Sequence, residues 1–341
     1  MPFPLSSVLR GAVLLAAPLF CAFPALAQTE YPLHLSNCGV DLTFDAAPVR
    51  TVTVGQAATE ILYALDLGDR VLGTSVWFST VLPQFETVNA GVPRLADNDP
   101  SFESVVALRP DLVAVQYEWH IGPQGSVGTR DQFADLGIPT YTLPSDCEGK
   151  DNSVGSDGTR LAPYSIESLY QGIDELARIF DVPERGAALL DDLRAREEAA
   201  IDAARALDLG DASAVFWFSS AEMDIDPYVA GQGGAPAYMM EALGLRNIID
   251  SNEEWPVVGW ETIARANPTV IVLARMDRRR FEADDVERKL DFLRTDPVAS
   301  QMDAVRHNRI VVLDAHGMDP SIRNIDALET LSAALAGLDL Q

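Results

Sequence analysis

The chain of 341 residues carries 51 Asp or Glu against 25 Lys or Arg, and its formal net charge at pH 7 is −26. Such acidity argues against nucleic acid and anionic lipid as partners, because both are bound through basic surfaces. A chain of this length normally divides into two domains.

The N-terminus has the pattern of an export signal. Arg10 precedes an apolar run, which closes with the small-x-small site Ala25-Leu26-Ala27. We therefore predict a signal peptide over residues 1–27, cleaved after Ala27, and a periplasmic location. The apolar run is too short to span a bilayer as a helix. A buried N-terminal helix and a lipid anchor on Cys21 are the alternatives, and bulky Phe20 disfavours the anchor.

Two cysteines remain after this cleavage, Cys38 and Cys147. In an oxidising compartment two such thiols usually join, so the sequence predicts a disulfide. Metal binding by the pair is the alternative. The chain has no Cys-x-x-Cys motif and its four histidines show no ligand spacing, so no metal site is predicted.

The first half, residues 28–183, alternates predicted strands and helices. The strands are expected at 49–54, 70–76, 111–115 and 138–143, and the helices at 57–67, from 101 and at 131–136. This alternation predicts an N-terminal α/β lobe, in which a parallel sheet is covered by helices.

A long helix is predicted next, over residues 184–207. Pro183 suits its first turn, and Gly210 follows as a stop signal. Its apolar residues fall near helical spacing, with Glu197 as an interruption. At 1.5 Å per residue the helix would be about 35 Å long, so residues 184–209 are interpreted as a stiff interdomain helix.

The second half, residues 210–341, repeats the pattern of the first. Strands are expected at 214–218, 246–249 and 269–274, and a helix at 235–243. In both halves a short helix stops before a proline, Pro110 or Pro268, and a buried strand follows. The expected fold class is α/β, with two lobes of similar topology whose parallel sheets are joined by a single long rigid helix.

Residues 103–113 read Glu-Ser-Val-Val-Ala-Leu-Arg-Pro-Asp-Leu-Val. This segment resembles a motif of the periplasmic binding proteins that serve ABC importers of ferric siderophores, haem and vitamin B12. Residues 50–62, 240–244 and 260–263 are similar to further motifs of that family, in the same order. The resemblance covers nearly the whole mature chain. It implies two Rossmann-like lobes, linked by one long helix, with a ligand bound between them. It further implies that one acidic residue on each lobe meets arginines of the permease.

The positions that match this docking role are Glu103 and Glu241. Without the resemblance, Glu103 reads as a first-turn carboxylate that stabilises a helix N-terminus, and Glu241 as a solvated acid. The resemblance therefore makes both residues candidates for permease docking.

Candidate ligand contacts lie in loops after the predicted strands, where open α/β sheets bind their ligands. The aromatic candidates are Trp77, Tyr117, Trp119, Trp217 and Trp255. Each one alone reads as a core residue, but four of five tryptophans in such loops exceed what core packing needs. Together they predict a cleft for a large ligand with apolar or π surfaces.

Two arginines are further candidates for ligand contacts. Arg94 lies before the 103–113 motif, where the resemblance implies a cationic contact, and Arg275 follows a predicted strand. An exposed salt bridge is the alternative for Arg94. The run Arg278-Arg279-Arg280 is interpreted as a solvated patch.

The sequence contains no Gly-x-Ser-x-Gly elbow, no Walker-type loop and no His-Glu-x-x-His helix, so we do not expect an enzyme. With the resemblance, it predicts the binding component of an ABC importer for a ferric siderophore, haem or corrinoid. The expected partners are the chelate, the permease and its ATPase, with the protein a monomer and without a cofactor of its own. Binding of bare zinc or manganese, or a sensing role without transport, are the alternatives.

Overall fold

The computed structural model describes Met1 and residues 28–153 and 158–338. Apart from Met1, the predicted signal peptide and its cleavage site lie outside the described residues. In the described part, no helix combines the length and apolar character that crossing a membrane requires.

The N-terminal half is built on a five-stranded sheet whose neighbouring strands all run parallel, as predicted. A hairpin precedes this sheet, and a second, small hairpin follows it. The strands are β1 Leu33–Asn37, β2 Val40–Phe44, β3 Thr51–Val54, β4 Val71–Ser75, β5 Arg94–Ala96, β6 Leu112–Val115, β7 Thr140–Thr142, β8 Lys150–Asp151 and β9 Thr159–Arg160. The helices are α1 Gln56–Ala64, α2 Glu86–Asn89, α3 Phe102–Val106, α4 Arg130–Ala134 and α5 Ile166–Ile179.

The order of this sheet, β5-β4-β3-β6-β7, creates a crevice between the carboxyl ends of β3 and β6. Gly55 directly follows β3 and has φ 121°. A Cβ atom at this position would lie 2.3 Å from the Cβ of Gln116, which follows β6. The close approach of the two chain segments therefore requires glycine at this point.

The helix that follows, α6 Pro183–Arg205, has 23 residues and packs against α5. It ends earlier than the predicted 207, because the backbone N–H of Leu207 bonds to the carbonyl of Ala204, three residues back, and no longer to the residue four back. Glu197, the predicted interruption, accepts hydrogen bonds from the hydroxyls of Tyr170 and Tyr238. These tyrosines belong to different halves of the chain, so Glu197 joins both halves to α6.

The C-terminal half contains a second sheet, with β10 next to β13 and β13 next to β14, all parallel. β12 also pairs with β10 in parallel, whereas β11 adds an antiparallel edge that the sequence did not predict. The strands are β10 Ser213–Ser219, β11 Tyr228–Val229, β12 Arg246–Asn247, β13 Val270–Arg275 and β14 Ile310–Asp314. The helices are α7 Ala235–Ala242, α8 Trp260–Ala266, α9 Val286–Thr295, α10 Asp303–Arg306 and α11 Arg323–Gly337. α11 packs along α6.

Single turns of 3-10 helix connect several of these elements. They lie mostly at strand ends, where they turn the chain sharply. Their bounds are Gly68–Arg70, Pro83–Phe85, Glu118–His120, Pro144–Asp146, Glu282–Asp284, Ala299–Gln301 and Ala315–Gly317.

The predicted disulfide between Cys38 and Cys147 is confirmed, with a Cα–Cα distance of 5.5 Å. It joins the β1–β2 hairpin to the segment after β7. The Asn37 side chain bonds to both the N–H and the carbonyl of Thr142, each at 2.8 Å. The hairpin thus covers the free edge of β7, which would otherwise expose unpaired backbone groups.

The two halves share part of their apolar core. Ala235, Ile322 and Ile325 from the second half belong to the same buried cluster as α1 and α5 of the first. The two lobes therefore contact each other directly as well as through α6.

Candidate ligand-binding cleft

A cavity of about 280 Å³ lies between the two lobes. Its N-terminal wall consists of segments that follow β4, β5, β6 and β7, and its C-terminal wall of segments that follow β10, β13 and β14. The lining includes Val76, Phe78, Asn98, Asp99, Tyr117, Trp119, Asp146, Lys150, Phe218, Ser219, Met276, Arg278, Met318 and Asp319. The carboxyl ends of both sheets therefore converge on one site.

Both walls of the cavity carry aromatic rings. Tyr117 and Trp119 lie on the N-terminal side, and Trp119 packs against the buried ring of His120 with centroids 4.7 Å apart. On the opposite side Trp255 lies 4.6 Å from Phe218, measured between ring centroids. These half-buried faces suit a ligand with extended apolar or π surface.

On one side of the cavity a network of charges bridges the two lobes. Arg160 of the β8–β9 hairpin donates to Glu254 of the C-terminal lobe at 2.6 Å. The ammonium of Lys150 lies 2.7 Å from Asp146 and 3.3 Å from Glu254. Burial opposes the charged ammonium, but the two carboxylates together raise the pKa of Lys150 above its ordinary value. The network is therefore internally neutralised and leaves little charge for a ligand.

Two other cations of the lining, Arg278 and Arg280, have no salt bridge within residues 28–153 and 158–338. Arg278 donates to Asn98 Oδ1 at 3.1 Å, and its guanidinium carbon lies 4.1 Å from the ring centroid of Phe78. Its buried Nε has no hydrogen-bond partner in the described part of the protein. Desolvation lowers the pKa of Arg278. These arginines are suited to bind an anionic group, since a guanidinium grips a carboxylate with two parallel hydrogen bonds.

Three of the predicted ligand contacts line the cavity: Tyr117, Trp119 and Trp255. All three lie in loops that follow strands, which is where the sequence predicts the candidate ligand contacts. The structure brings them together across the two lobes.

Trp77 and Arg94 lie elsewhere, outside the cavity lining. Val76 has φ 58°, and the chain turns so that the Trp77 ring enters the N-terminal core, where its Nε1 donates to Thr74 at 3.1 Å. Arg94 stacks on this ring at 4.7 Å and lies 3.6 Å from Asp97. The neighbouring Phe78, rather than Trp77, reaches the cavity.

Trp217 is 1% exposed and lies in the core of the C-terminal lobe against Trp260 and Phe292. Successive side chains of β10 point to opposite faces of the sheet. Helices α8 and α9 cover the face to which Trp217 points. Arg275 lies in a separate groove along the lobe boundary, with Asp277 and Asp314. The run at 278–280, interpreted as a solvated patch, instead supplies two cations of the cavity lining. Its position just after β13, at the carboxyl end of a parallel strand, could have indicated this role.

Glu103 and Glu241 are both exposed, and neither lines the cavity. Glu103 lies in the first turn of α3, whose N-cap Ser101 accepts from the Ser104 N–H at 3.1 Å. Glu241 is the penultimate residue of α7. Neither carboxylate makes a salt bridge within the described ranges.

The described residues include no group of three or more His, Cys, Asp or Glu side chains that is placed to hold a metal ion. His316 is fully buried, and burial, with Arg323 and Arg278 nearby, lowers its pKa well below the ordinary value. His120 is buried as well and contacts Asp99 of the lining at 3.2 Å. Both histidines therefore pack behind the cavity wall.

Known proteins share this sequence pattern. An uncharacterized ABC transporter substrate-binding lipoprotein of Bacillus subtilis is 23% identical, over 97% of this chain and 95% of its own length. A cobalamin-binding protein of Halobacterium salinarum is 25% identical, over 74% of this chain and 59% of its own length.

Solved structures share the architecture. A periplasmic binding protein from Veillonella parvula superposes with a TM-score of 0.75 at 20% identity, covering 90% of this chain and 98% of its own. A structure from an ABC-type Fe3+-hydroxamate transport system of Saccharomonospora viridis gives 0.71 at 25% identity, covering 90% and 99%. The family model described as periplasmic binding protein matches residues 52–316. With two parallel-sheet lobes, a long connecting helix and a cleft between the lobes, this chain belongs to the periplasmic binding protein family.

Proposed function

We propose that this protein is the extracytoplasmic binding component of an ABC importer, and that it binds a metal chelate between its lobes. The observation that carries the proposal is the cavity itself, with aromatic faces on both walls and two arginines that lack carboxylate partners in the described part of the chain. Its similarity to an ABC transporter substrate-binding lipoprotein and to a structure from a Fe3+-hydroxamate transport system supports the same function.

The proposed ligand is a ferric siderophore or a related metal chelate such as haem or a corrinoid. Ligand pockets commonly measure about 300–1,000 Å³, and this one has about 280 Å³. A larger ligand would remain partly outside or would need the lobes to separate. Arg278 and Arg280 favour a chelate with a carboxylate or another anionic oxygen group. The metal then enters as part of the ligand, and the protein needs no cofactor of its own.

The proposal includes delivery as well as binding. The partners are an inner-membrane permease and its ATPase, which receive the ligand from a monomeric, exported protein whose signal peptide is cleaved after Ala27. Glu103 and Glu241 dock on the permease, which is supported by their exposure and by their having no ion pair with another described residue. The protein releases its ligand unchanged and is not an enzyme.

Titration of the mature protein with ferric dicitrate, ferrioxamine B, hemin, cyanocobalamin, Zn²⁺ and Mn²⁺ tests the binding step. We expect a ferric chelate to quench tryptophan fluorescence, because Trp119 and Trp255 line the cavity. Arg278→Ala with Arg280→Ala should weaken binding of an anionic chelate by about 10- to 100-fold per arginine contact, since a hydrogen bond to a charged group contributes about 1.5–3 kcal/mol.

Arg275→Ala is the matched control, because it removes an exposed arginine of the same segment that lies outside the cavity. It should leave the affinity unchanged. If Zn²⁺ or Mn²⁺ shifts the melting temperature while every chelate fails to bind, the protein binds bare metal and the proposal is wrong.

A further inference from the structure

A short segment of the N-terminal lobe, Phe78–Thr80, crosses into the C-terminal lobe beneath the cavity, and we name it the crossing segment. The ring of Phe78 contacts two side chains of the C-terminal lobe, Arg278 and His316. Arg278 covers one side at 4.1 Å, and His316 is stacked near it with ring centroids 5.7 Å apart and an interplanar angle of 15°. Phe78 is 9% exposed, and its remaining surface lines the cavity.

The backbone of the crossing segment is hydrogen-bonded to the loop that carries Arg278. The carbonyl of Phe78 accepts from the N–H groups of Asp277 at 2.9 Å and Arg278 at 3.0 Å. In return, the N–H and hydroxyl of Thr80 donate to Asp277 Oδ2 at 2.7 and 2.5 Å. Ser79 adds a bond to Asp314 at 3.1 Å. The two lobes are thus joined by several bonds within three residues.

The crossing segment is also fixed to its own lobe. Gln56 Oε1 accepts from the N–H groups of Phe78 and Ser79, at 3.1 and 3.2 Å. Glu60 of α1 is fully buried and accepts a hydrogen bond of 2.8 Å from the Nε of Arg323 of α11. The same guanidinium donates to the carbonyl of Thr80 at 2.7 Å. A buried ion pair therefore holds the crossing segment against both lobes.

We infer that Phe78 is a positioning residue that holds the Arg278 guanidinium at the ligand cavity. Within the described residues Arg278 forms no salt bridge with a carboxylate, although the charges of Asp284 and Asp319 act on it. Its direct contacts are the ring face of Phe78, Asn98 and the backbone bonds to the crossing segment. A guanidinium over an aromatic face is attracted by the ring quadrupole, and its N–H groups stay able to donate to other acceptors. As a consequence, an anionic group of the ligand would meet an arginine that is already in position, and this consequence rests on the proposed function.

Phenylglyoxal labelling tests the positioning without any ligand. In Phe78→Leu the Arg278 side chain should be modified about two- to fivefold faster, the factor expected from a lost cation–π contact. Exposed Arg275 serves as the internal reference, and peptide mass spectrometry assigns the sites. Phe78→Tyr, which keeps the ring, should restore the wild-type rate. Phe85→Leu is the control, because Phe85 packs against Tyr63 in the N-terminal lobe. An unchanged rate at Arg278 in Phe78→Leu overturns the inference.

A double-mutant cycle tests the consequence for binding, with the chelate that the wild type binds most tightly among those named above. Phe78→Leu should weaken its binding by about two- to fivefold in the wild-type background, the factor of the lost cation–π contact. It should cause no further loss in Arg278→Ala, since residues that act through one contact are not additive. An equal loss in both backgrounds means that Phe78 acts on binding through the structure or by its own contact with the ligand, and it refutes the inference. Failure of every chelate to bind refutes the proposed function, and labelling still decides the role of Phe78.

Discussion

Replacing both Glu103 and Glu241 by alanine is expected to lower ligand uptake at least tenfold while ligand affinity changes by less than about twofold. Neither carboxylate lines the cavity, so binding should be retained. Each is exposed and unpaired in the described chain, and each is proposed to meet a basic group of the permease. Loss of such a pair costs about 2–5 kcal/mol when the partner charge is left desolvated, enough to lower uptake at least tenfold. Uptake into cells and transporter-stimulated ATP hydrolysis measure the effect.

The matched control is Glu198→Ala with Glu287→Ala. Glu287 is an exposed acid in the first turn of α9, like Glu103 in α3, and Glu198 is an exposed helical acid like Glu241. The control removes the same total charge and should leave uptake intact. Reversal of Glu103 and Glu241 to Lys should impair uptake further. A parallel fall of affinity and uptake in the alanine variant would place these residues in the cleft or the fold, and the docking assignment would be wrong.

Removal of the disulfide, by Cys38→Ala with Cys147→Ala, is expected to lower the free energy of unfolding by about 4–5 kcal/mol. The bond spans 109 residues of sequence, and the loop-entropy model assigns stabilisation of this size to a loop of such length. Denaturant unfolding of the mature protein, followed by circular dichroism, measures the change.

Reduction of the wild type by dithiothreitol should produce a similar loss of stability, and the double variant should not respond to the reductant. Denatured, unreduced mature protein should contain no titratable thiol. Two free thiols in freshly exported protein, or a loss below about 1 kcal/mol, would contradict this prediction.

Element identity was largely predictable from local pattern. The β-branched run at 49–54 and the apolar run at 269–274 became β3 and β13, because strands buried on both faces read as continuous apolar segments. The helix predicted at 184–207 became α6, since its composition favours helix, Pro183 suits its first turn and Gly210 follows as a stop signal. Among the elements that were not predicted, β8, β9 and β11 have two residues each, too few to show a period.

The position of the cleft was predictable from the sequence, but several of the residues that line it were not. Phe78 and Trp77 are neighbours, and a positive φ at Val76 decides which of them enters the core. Similarly, Trp217 and Phe218 are neighbours near the end of β10, so their side chains point to opposite faces of the sheet. Trp217 packs under α8 and α9, whereas Phe218 lines the cavity. Three residues beyond β13, Arg278 faces the cavity, whereas Arg275 at the strand end does not.

The sequence by itself determined the α/β fold, the repeated lobes, the long helix, the cysteine pair and the edge of the sheets where the cleft forms. These depend on periodicity, composition and chain order, which are local properties. Only the tertiary structure decided which arginines and aromatic rings face the cavity, and that Glu60, Arg323 and Phe78 join the lobes beneath it. Those outcomes depend on contacts between residues up to 263 positions apart, which no local pattern encodes.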